Sequence, residues 1–220
     1  MGRRCSGKES KELIMTEKKL VQQIKVRTNS IKDSVCRVEA PSVRFSELWA
    51  SYPGGSPCDG KEQDGKPAFS DQCAIRVGVA LKKVGVTFKS YPSKGKCWFK
   101  GHTDHLLRAR ELADWLKLQP FVGCTKPIDI KGTDWQERIK EKTGIVYFAD
   151  YWRRTNRNGT EESQPTGDHI DLWNGNRLTT GSGSLRARLT TFSRFTLGFD
   201  NGLIYSDLGK ATQILFWEIK

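Results

Sequence analysis

A cysteine in the first half of the chain, Cys73, has surroundings that suit a nucleophilic thiol. It follows a polar run in which Ser70 or Asp71 is a candidate N-cap, and the segment after it is apolar with helical period as far as Gly85. In the first turn of a helix, unpaired backbone N–H groups and the positive end of the helix dipole favour a thiolate. The pattern predicts a helix with Cys73 in its first turn. For this residue alone, the alternative is a buried structural cysteine.

A predicted β-strand in the second half carries a histidine, His169. Period-two alternation places His169, Asp171 and Trp173 on one face of this strand, and Ile170 and Leu172 on the other. A cysteine at a helix start and a histidine on a later antiparallel strand predict a thiol hydrolase. The thiolate attacks an amide carbonyl, the imidazolium protonates the leaving amine, and a backbone N–H of the helix start stabilises the oxyanion. Trp173 is predicted to be a core residue rather than a platform for substrate.

Length and composition limit the other classes of protein. The chain has 220 residues, of which 36% are hydrophobic and 7 are tryptophan, enough for one domain and an appendage. No apolar run approaches the roughly 18 residues that cross a bilayer, so we expect no membrane insertion. The first residues, Met1–Cys5, precede no apolar segment, so we expect no Sec signal peptide. The net charge of +12 suits nucleic acid, anionic lipid or cell-wall polymer, but without a recognisable nucleic-acid module we expect no specific nucleic-acid binding.

The order of the predicted elements indicates an α+β fold. Residues 1–40 carry ten basic and five acidic residues, and we interpret them as a basic N-terminal extension in which Glu12–Arg27 has a loosely helical pattern. The domain is predicted to span 41–220, with helices before strands and the helices packed on an antiparallel sheet. The predicted helices besides the cysteine helix are 43–52, 104–118 and 134–142. The predicted strands are 86–88, 144–152, 169–173, 176–180 and 213–219.

Four segments together resemble a known family. They are Leu48–Pro53 with Pro57-Cys58, Asp71–Arg76, Gly167–Gly175 and Phe216–Ile219. These segments resemble the fourth family of amidase effectors of bacterial type VI secretion, whose fold is the NlpC-type papain-like domain. The resemblance covers roughly residues 43–220.

The resemblance implies an enzyme of the cell wall. The family cleaves the amide bond between D-glutamate and meso-diaminopimelate in peptidoglycan stem peptides. The type VI secretion machinery injects it into the periplasm of a rival bacterium, and a cognate immunity protein blocks it in the producer. A basic surface suits an anionic cell wall.

The third catalytic residue is the point where this sequence departs from the family. Family members carry an aspartate opposite the histidine, on the strand after the hairpin. The Asn174-Gly175 dipeptide predicts a two-residue turn, which places Thr180 at that position. Asp171, on the same strand face as His169, is the preferred replacement, and Asp207 is the alternative.

The remaining cysteines and histidines give weaker signals. The six cysteines, at positions 5, 36, 58, 73, 97 and 124, form no Cys-x-x-Cys pair. In an oxidising periplasm the preferred disulfide is Cys97–Cys124. His102 and His105 flank a predicted helix start, and no further ligands evidently converge on them. We therefore expect no metal and no cofactor.

Two other functions fit parts of the pattern. A housekeeping cell-wall endopeptidase of the same fold would use the same cysteine and histidine. A basic, non-catalytic module that binds cell wall or nucleic acid would share the scaffold and the charge.

Overall fold

The computed structural model describes residues 21–26, 36–69, 71–102, 105–154, 159–179 and 208–220. For residues 21–26 and 36–41 it describes the backbone only. The strands are β1 (Val21–Val26), β2 (Cys36–Pro41), β3 (Ile128–Asp129), β4 (Gly144–Trp152), β5 (Gly167–Trp173) and β6 (Gln213–Glu218). The helices are α1 (Phe45–Ala50), α2 (Cys73–Lys83), α3 (Ala109–Lys117) and α4 (Trp135–Arg138).

The main sheet is antiparallel and runs in the order β3-β6-β4-β5. Strand β4 lies inside it and pairs with both β5 and β6, so that Gly144 faces Trp173 on one side and Glu218 on the other. Most of β4 is buried, which explains its nearly continuous apolar sequence. Strand β5 is an edge strand of this sheet.

The two faces of the sheet are covered differently. One face packs against α2 and α3, whose apolar residues recur at helical spacing. This layer includes Val77, Leu81, Leu112, Leu116, Ile145, Ile170, Leu172 and Trp217. The other face packs around α4 and includes Trp135, Ile139, Val146, Phe148, Trp173, Ile214 and Phe216. Trp173 is a buried core residue, as predicted, and its indole N–H donates to Ile139 O at 2.9 Å.

This arrangement confirms the predicted α+β, papain-like fold, with the cysteine helix packed on an antiparallel sheet. The helices α1, α3 and α4 are shorter than the predicted segments. The segment 86–88 is not a strand. Val86 N–H instead donates to Leu81 O at 3.0 Å, and Val86 and Phe88 are buried in the helical layer.

The predicted helix over Glu12–Arg27 is wrong where the structure describes it. Strands β1 and β2 form an antiparallel hairpin, with Val21 opposite Pro41 and Val26 opposite Cys36. The β-branched residues of this segment favour a strand. In the described residues, no helix is both long and apolar enough to cross a bilayer.

Candidate active site

The nucleophile predicted from the sequence occupies the first position of α2. The N-cap is Gln72, at φ −114° and ψ 24°, rather than Ser70 or Asp71. The first intrahelical bond runs from Arg76 N–H to Gln72 O at 2.9 Å. The backbone N–H groups before Arg76 therefore have no acceptor within the helix. Unpaired N–H groups at a helix start are the donors from which an oxyanion hole can be built.

The side chain of Gln72 is buried and hydrogen-bonds to a neighbouring loop instead of capping the helix. Its Oε1 accepts from Cys58 N–H at 2.8 Å, and its Nε2 donates to Cys58 O at 2.9 Å and to Phe69 O at 3.1 Å. Gln72 is 3% exposed, so these bonds form away from competing water. The residue before the nucleophile is thereby fixed to the loop that contains Cys58.

His169, the histidine predicted to be catalytic, lies on β5, and Asp171 shares its face of the strand. Nε2 of His169 is 3.6 Å from Oδ2 of Asp171, an ion-pair distance longer than the 2.7 to 3.2 Å of a direct hydrogen bond expected for a triad. Phe148 stacks beside the imidazole with ring centroids 6.3 Å apart, and Tyr151 contacts it edge-on at 6.4 Å. Packing from both rings restricts the orientation of the imidazole.

The carboxylate of Asp171 is buried and oriented by its neighbours. Its Oδ1 accepts from Leu172 N–H at 2.8 Å and from the hydroxyl of Thr179. The hydroxyl of Tyr52 also contacts this group: burial, and then the charge of Asp171, raise the pKa of Tyr52 well above its usual value. Tyr52 therefore stays protonated and can donate to the carboxylate of Asp171.

The turn after β5 is longer than predicted. Trp173 pairs with Leu178, and Asn174 N–H donates to Arg177 O at 3.1 Å, so the turn contains four residues rather than two. Asn174 Oδ1 accepts from the N–H groups of the two residues at the end of the turn, which stabilises this conformation. The predicted register, in which Trp173 would lie opposite Asn176, is therefore wrong. Thr180 itself and Asp207 lie outside the described residues.

The protonation of His169 follows from these contacts. Burial alone lowers the pKa of the imidazole, but its interactions with the neighbouring carboxylate of Asp171 and with Cys73 outweigh this effect, and the pKa lies well above its usual value. The direction of this shift favours the protonated imidazole. A cysteine in contact with an imidazolium is the arrangement that generates a reactive thiolate.

A cleft of about 380 Å³ opens above these residues. Its lining is Asp71, Gln72, Cys73, Arg76, Tyr151, Trp152, Asp168 and His169. A second cleft of about 590 Å³ adjoins it, and Cys73 and Asp168 belong to the lining of both. The two clefts therefore meet at Cys73.

An ion-pair network fixes the wall of the second cleft. Arg110 binds both carboxylate oxygens of Asp168, at 3.0 and 3.2 Å, and also reaches Asp150 at 2.5 Å. Asp150 N–H donates to Asp168 Oδ1 at 3.1 Å, and Asp150 has a left-handed backbone conformation, with φ 49°. The irregular end of β4 is thereby tied to the residue before His169. The sequence reasoning missed this network, although Asp168 directly precedes the predicted catalytic histidine.

The other cysteines do not form the predicted disulfide. Cys97 and Cys124 are free thiols in separate apolar clusters, and Cys124 donates to Leu116 O at 3.5 Å. The expectation that no further metal ligands converge on the two histidines is also wrong. Cys58 and Cys97 lie next to His102 and His105, with all four ligand atoms within 4.8 Å of one another.

Residues 69–217 match the model of a protein family described as Tae4, type VI secretion system (T6SS), amidase effector protein 4. Among solved structures, the type VI effector Tae4 from Enterobacter cloacae is similar at 15% identity, over 82% of this chain and 99% of that chain, with a TM-score of 0.49. The effector Tae4 from Salmonella typhimurium, in complex with the immunity protein Tai4 from Enterobacter cloacae, is similar at 17% identity, over 80% and 98% of the two chains, with a TM-score of 0.47. A comparison with curated proteins finds no match.

Proposed function

The chain belongs to the family of type VI secretion amidase effectors 4, whose model matches more than half of it, and we propose that its Cys73 and His169 cleave the bond between D-glutamate and meso-diaminopimelate in peptidoglycan stem peptides. The family is one of peptidoglycan amidases delivered into target cells, and this chain is a cysteine amidase. The observation that supports the assignment of residues is that the helix-start thiol of Cys73 and the imidazole of His169 line the same open cleft.

The proposed reaction follows the general scheme of thiol hydrolases. The Cys73 thiolate attacks the carbonyl carbon, and the N–H groups at the start of α2 stabilise the oxyanion. The His169 imidazolium then gives its proton to the leaving amine, the C–N bond breaks, and a thioester remains on Cys73. Neutral His169 next removes a proton from water, which attacks the thioester. The acid product leaves, and the thiolate and imidazolium are restored.

Asp171 is the proposed positioning residue of the site. Its carboxylate faces Nε2 of His169 at 3.6 Å and is itself held by Thr179 and by Leu172 N–H. An anion at this place stabilises the imidazolium and limits rotation of the ring. A small adjustment when substrate closes the cleft would bring the two groups to hydrogen-bond distance, since catalytic bonds often tighten in the complex.

The charges along the clefts support a zwitterionic substrate. Arg76 lines the first cleft, and its Nε is anchored to Gly55 O at 2.9 Å. Asp71 lies in both clefts, and Arg154 lies in the second. The stem peptide presents the carboxylate of D-glutamate and both an ammonium and a carboxylate on diaminopimelate. Cations and anions on either side of Cys73 suit these groups better than a uniformly basic surface would.

The bond cleaved can be read from the products. We expect the full-length protein to convert a purified tetrapeptide muropeptide into two fragments. One is the disaccharide with a short peptide that ends in D-glutamate, and the other is a peptide that begins with diaminopimelate. Mass spectrometry of the digest identifies both fragments. A muropeptide with lysine in place of diaminopimelate is the matched control, and we expect slower cleavage because it lacks the side-chain carboxylate. Cleavage at any other amide bond, or none, would contradict the assignment.

Delivery and inhibition are proposed from the family. We propose that the enzyme acts in the periplasm of the target bacterium, where its substrate lies, after transfer by the type VI secretion machinery. The complexes of related effectors with Tai4 support a cognate immunity protein for this chain as well. A housekeeping endopeptidase would require no such inhibitor, and a non-catalytic module would leave muropeptides intact.

The N-terminal residues 1–40 are proposed to be an extension that catalysis does not need. Strands β1 and β2 pair with each other, and the backbone of Ser42 and Val43 then joins the domain beside Val122, with a hydrogen bond of 3.1 Å from Val43 N–H. We expect a chain that starts at Pro41 to keep its kcat/KM on soluble muropeptides within about twofold. Because the extension has a charge of +5, we also expect weaker binding to intact, anionic cell wall. An unfolded or inactive truncated protein would show that the extension belongs to the domain.

A further inference from the structure

Four potential metal ligands converge beside the active site, and the proposed reaction uses none of them. Cys58, Cys97, His102 and His105 each contribute one ligand atom to a group that spans no more than 4.8 Å. We propose that this cluster binds one zinc ion through two thiolates and two imidazoles, and that the zinc holds the loop in front of the catalytic helix.

The distances within the cluster suit tetrahedral zinc. Nδ1 of His102 is 3.4 Å from Sγ of Cys58 and 3.6 Å from Sγ of Cys97. In a tetrahedron with Zn–S of about 2.3 Å and Zn–N of about 2.0 to 2.1 Å, sulfur and nitrogen ligands are about 3.6 Å apart. Since all four atoms lie within 4.8 Å of one another, no ligand pair needs to approach by more than about 1.5 Å. Two soft and two borderline ligands in this geometry select zinc over magnesium or calcium.

The backbone brings the ligands of the second loop together before any metal binds. Residues 95–97 pair with residues 105–107, since Cys97 N–H donates to His105 O and Leu107 N–H donates to Gly95 O, both at 2.9 Å. Cys97 and His105 are therefore neighbours across this pairing. A turn closed by His102 N–H to Phe99 O, at 3.1 Å, directs the remaining histidine back towards them.

The surroundings of the cluster resemble the outer shell of a structural metal site. Nε2 of His102 is 3.2 Å from Oδ1 of Asp59, so the nitrogen that faces away from the cysteines contacts a carboxylate. Such a carboxylate orients a histidine ligand and increases its basicity. Cys58 is 3% exposed and His105 is 7% exposed. Apolar side chains pack around the cysteines: Phe69, Ile75, Val79, Phe99 and Leu107.

A disulfide between Cys58 and Cys97 is the competing use of the same sulfur atoms. Both are free thiols in the structure. A disulfide would involve the two cysteines alone, and it gives no reason for two imidazoles and a carboxylate to converge on them. The complete set of four ligands, with no position left for water, is typical of structural zinc.

The site is connected to the nucleophile through one residue. Cys58 is the residue whose N–H and carbonyl both bond to the side chain of Gln72, and Gln72 immediately precedes Cys73. A zinc ion that fixes Cys58 therefore also fixes the start of α2. The two loops already pack closely, since a Cβ at Gly60 would come within 2.3 Å of the Phe99 ring.

Metal analysis of the full-length protein tests the proposal without reference to activity. We expect protein purified under reducing conditions without chelator to contain about one zinc per chain by elemental mass spectrometry. Exchange into Co²⁺ should produce the intense visible and thiolate charge-transfer bands of tetrahedral cobalt. Removal of zinc by a chelator should lower the thermal midpoint by about 10 °C or more, and added Zn²⁺ should restore it.

Cysteine variants locate the metal. The double variant Cys58→Ser with Cys97→Ser should lose at least about nine-tenths of the zinc. Cys124→Ser, which changes a buried thiol elsewhere, should keep it, and so should Cys73→Ala, which removes the catalytic thiol. Zinc retained by the double variant, or absent from wild-type protein supplied with Zn²⁺, would overturn the proposal. An intact mass lighter by two hydrogen atoms, with a Cys58–Cys97 crosslink in the peptide map, would assign these sulfur atoms to a disulfide instead. If the double variant does not fold, the cobalt spectrum of the wild-type protein still decides the matter.

Discussion

Cys73→Ala is expected to reduce kcat/KM for muropeptide hydrolysis by about 10⁴-fold or more, and His169→Ala by a similar factor. In the proposed cycle, the sulfur atom of Cys73 forms the covalent intermediate, and the imidazole of His169 transfers every proton. Residues that act as one catalytic unit show losses of this size singly, and the double variant should lose little more than either single one. Product formation followed by mass spectrometry, with circular dichroism as a check on folding, measures the effect.

The matched control is Cys124→Ser. Cys124 is buried, burial raises its pKa to about 12, and its thiol donates to the backbone carbonyl of Leu116. We expect this variant to retain nearly all activity. We also expect iodoacetamide to alkylate Cys73 well before Cys124 at neutral pH, since the thiolate is the reactive species. Near-normal turnover by folded Cys73→Ala protein would refute the thiol mechanism.

The parts of the fold that depend on local pattern could be predicted from the sequence. The apolar run of β4, the alternation of β5 and the helical period after Cys73 each reflect which side chains must be buried. The structure contains these elements at nearly the predicted positions. Local pattern was also sufficient to place His169 and Asp171 on one face of a strand.

The contacts that depend on loops could not be predicted in the same way. The Asn174-Gly175 signal indicated a turn correctly, but the side chain of Asn174 stabilises a four-residue turn, so that Trp173 pairs with Leu178 rather than with Asn176. The predicted N-cap, Ser70 or Asp71, was wrong because Gln72 occupies this position. The side-chain amide of Gln72 hydrogen-bonds to Cys58, which is 14 residues away in the sequence. The four potential metal ligands converge because loops pack together, and no periodicity in the sequence predicts that packing.

Asp171→Ala is expected to reduce kcat/KM by about 10³-fold, less than the loss of the thiol. A residue that orients the catalytic histidine is usually the least costly member of such a group to remove. In Asp171→Asn the side chain keeps its size and can still accept from Leu172 N–H, but the negative charge next to His169 is lost. We expect this variant to show most of the same loss, which assigns the effect to charge. Asp129→Asn, on β3, is the matched control and should have nearly full activity.

The pH dependence distinguishes a positioning role from a merely structural one. Asp171 raises the pKa of His169, so the wild-type imidazolium persists to higher pH than an ordinary histidine would allow. Activity that requires the imidazolium is present below this pKa and declines as the pH rises through it. Without the carboxylate the pKa falls, and the alkaline limb of kcat/KM for Asp171→Asn should move to lower pH. An unchanged alkaline limb, with activity reduced equally at every pH, would mean that Asp171 supports the strand and does not tune the histidine.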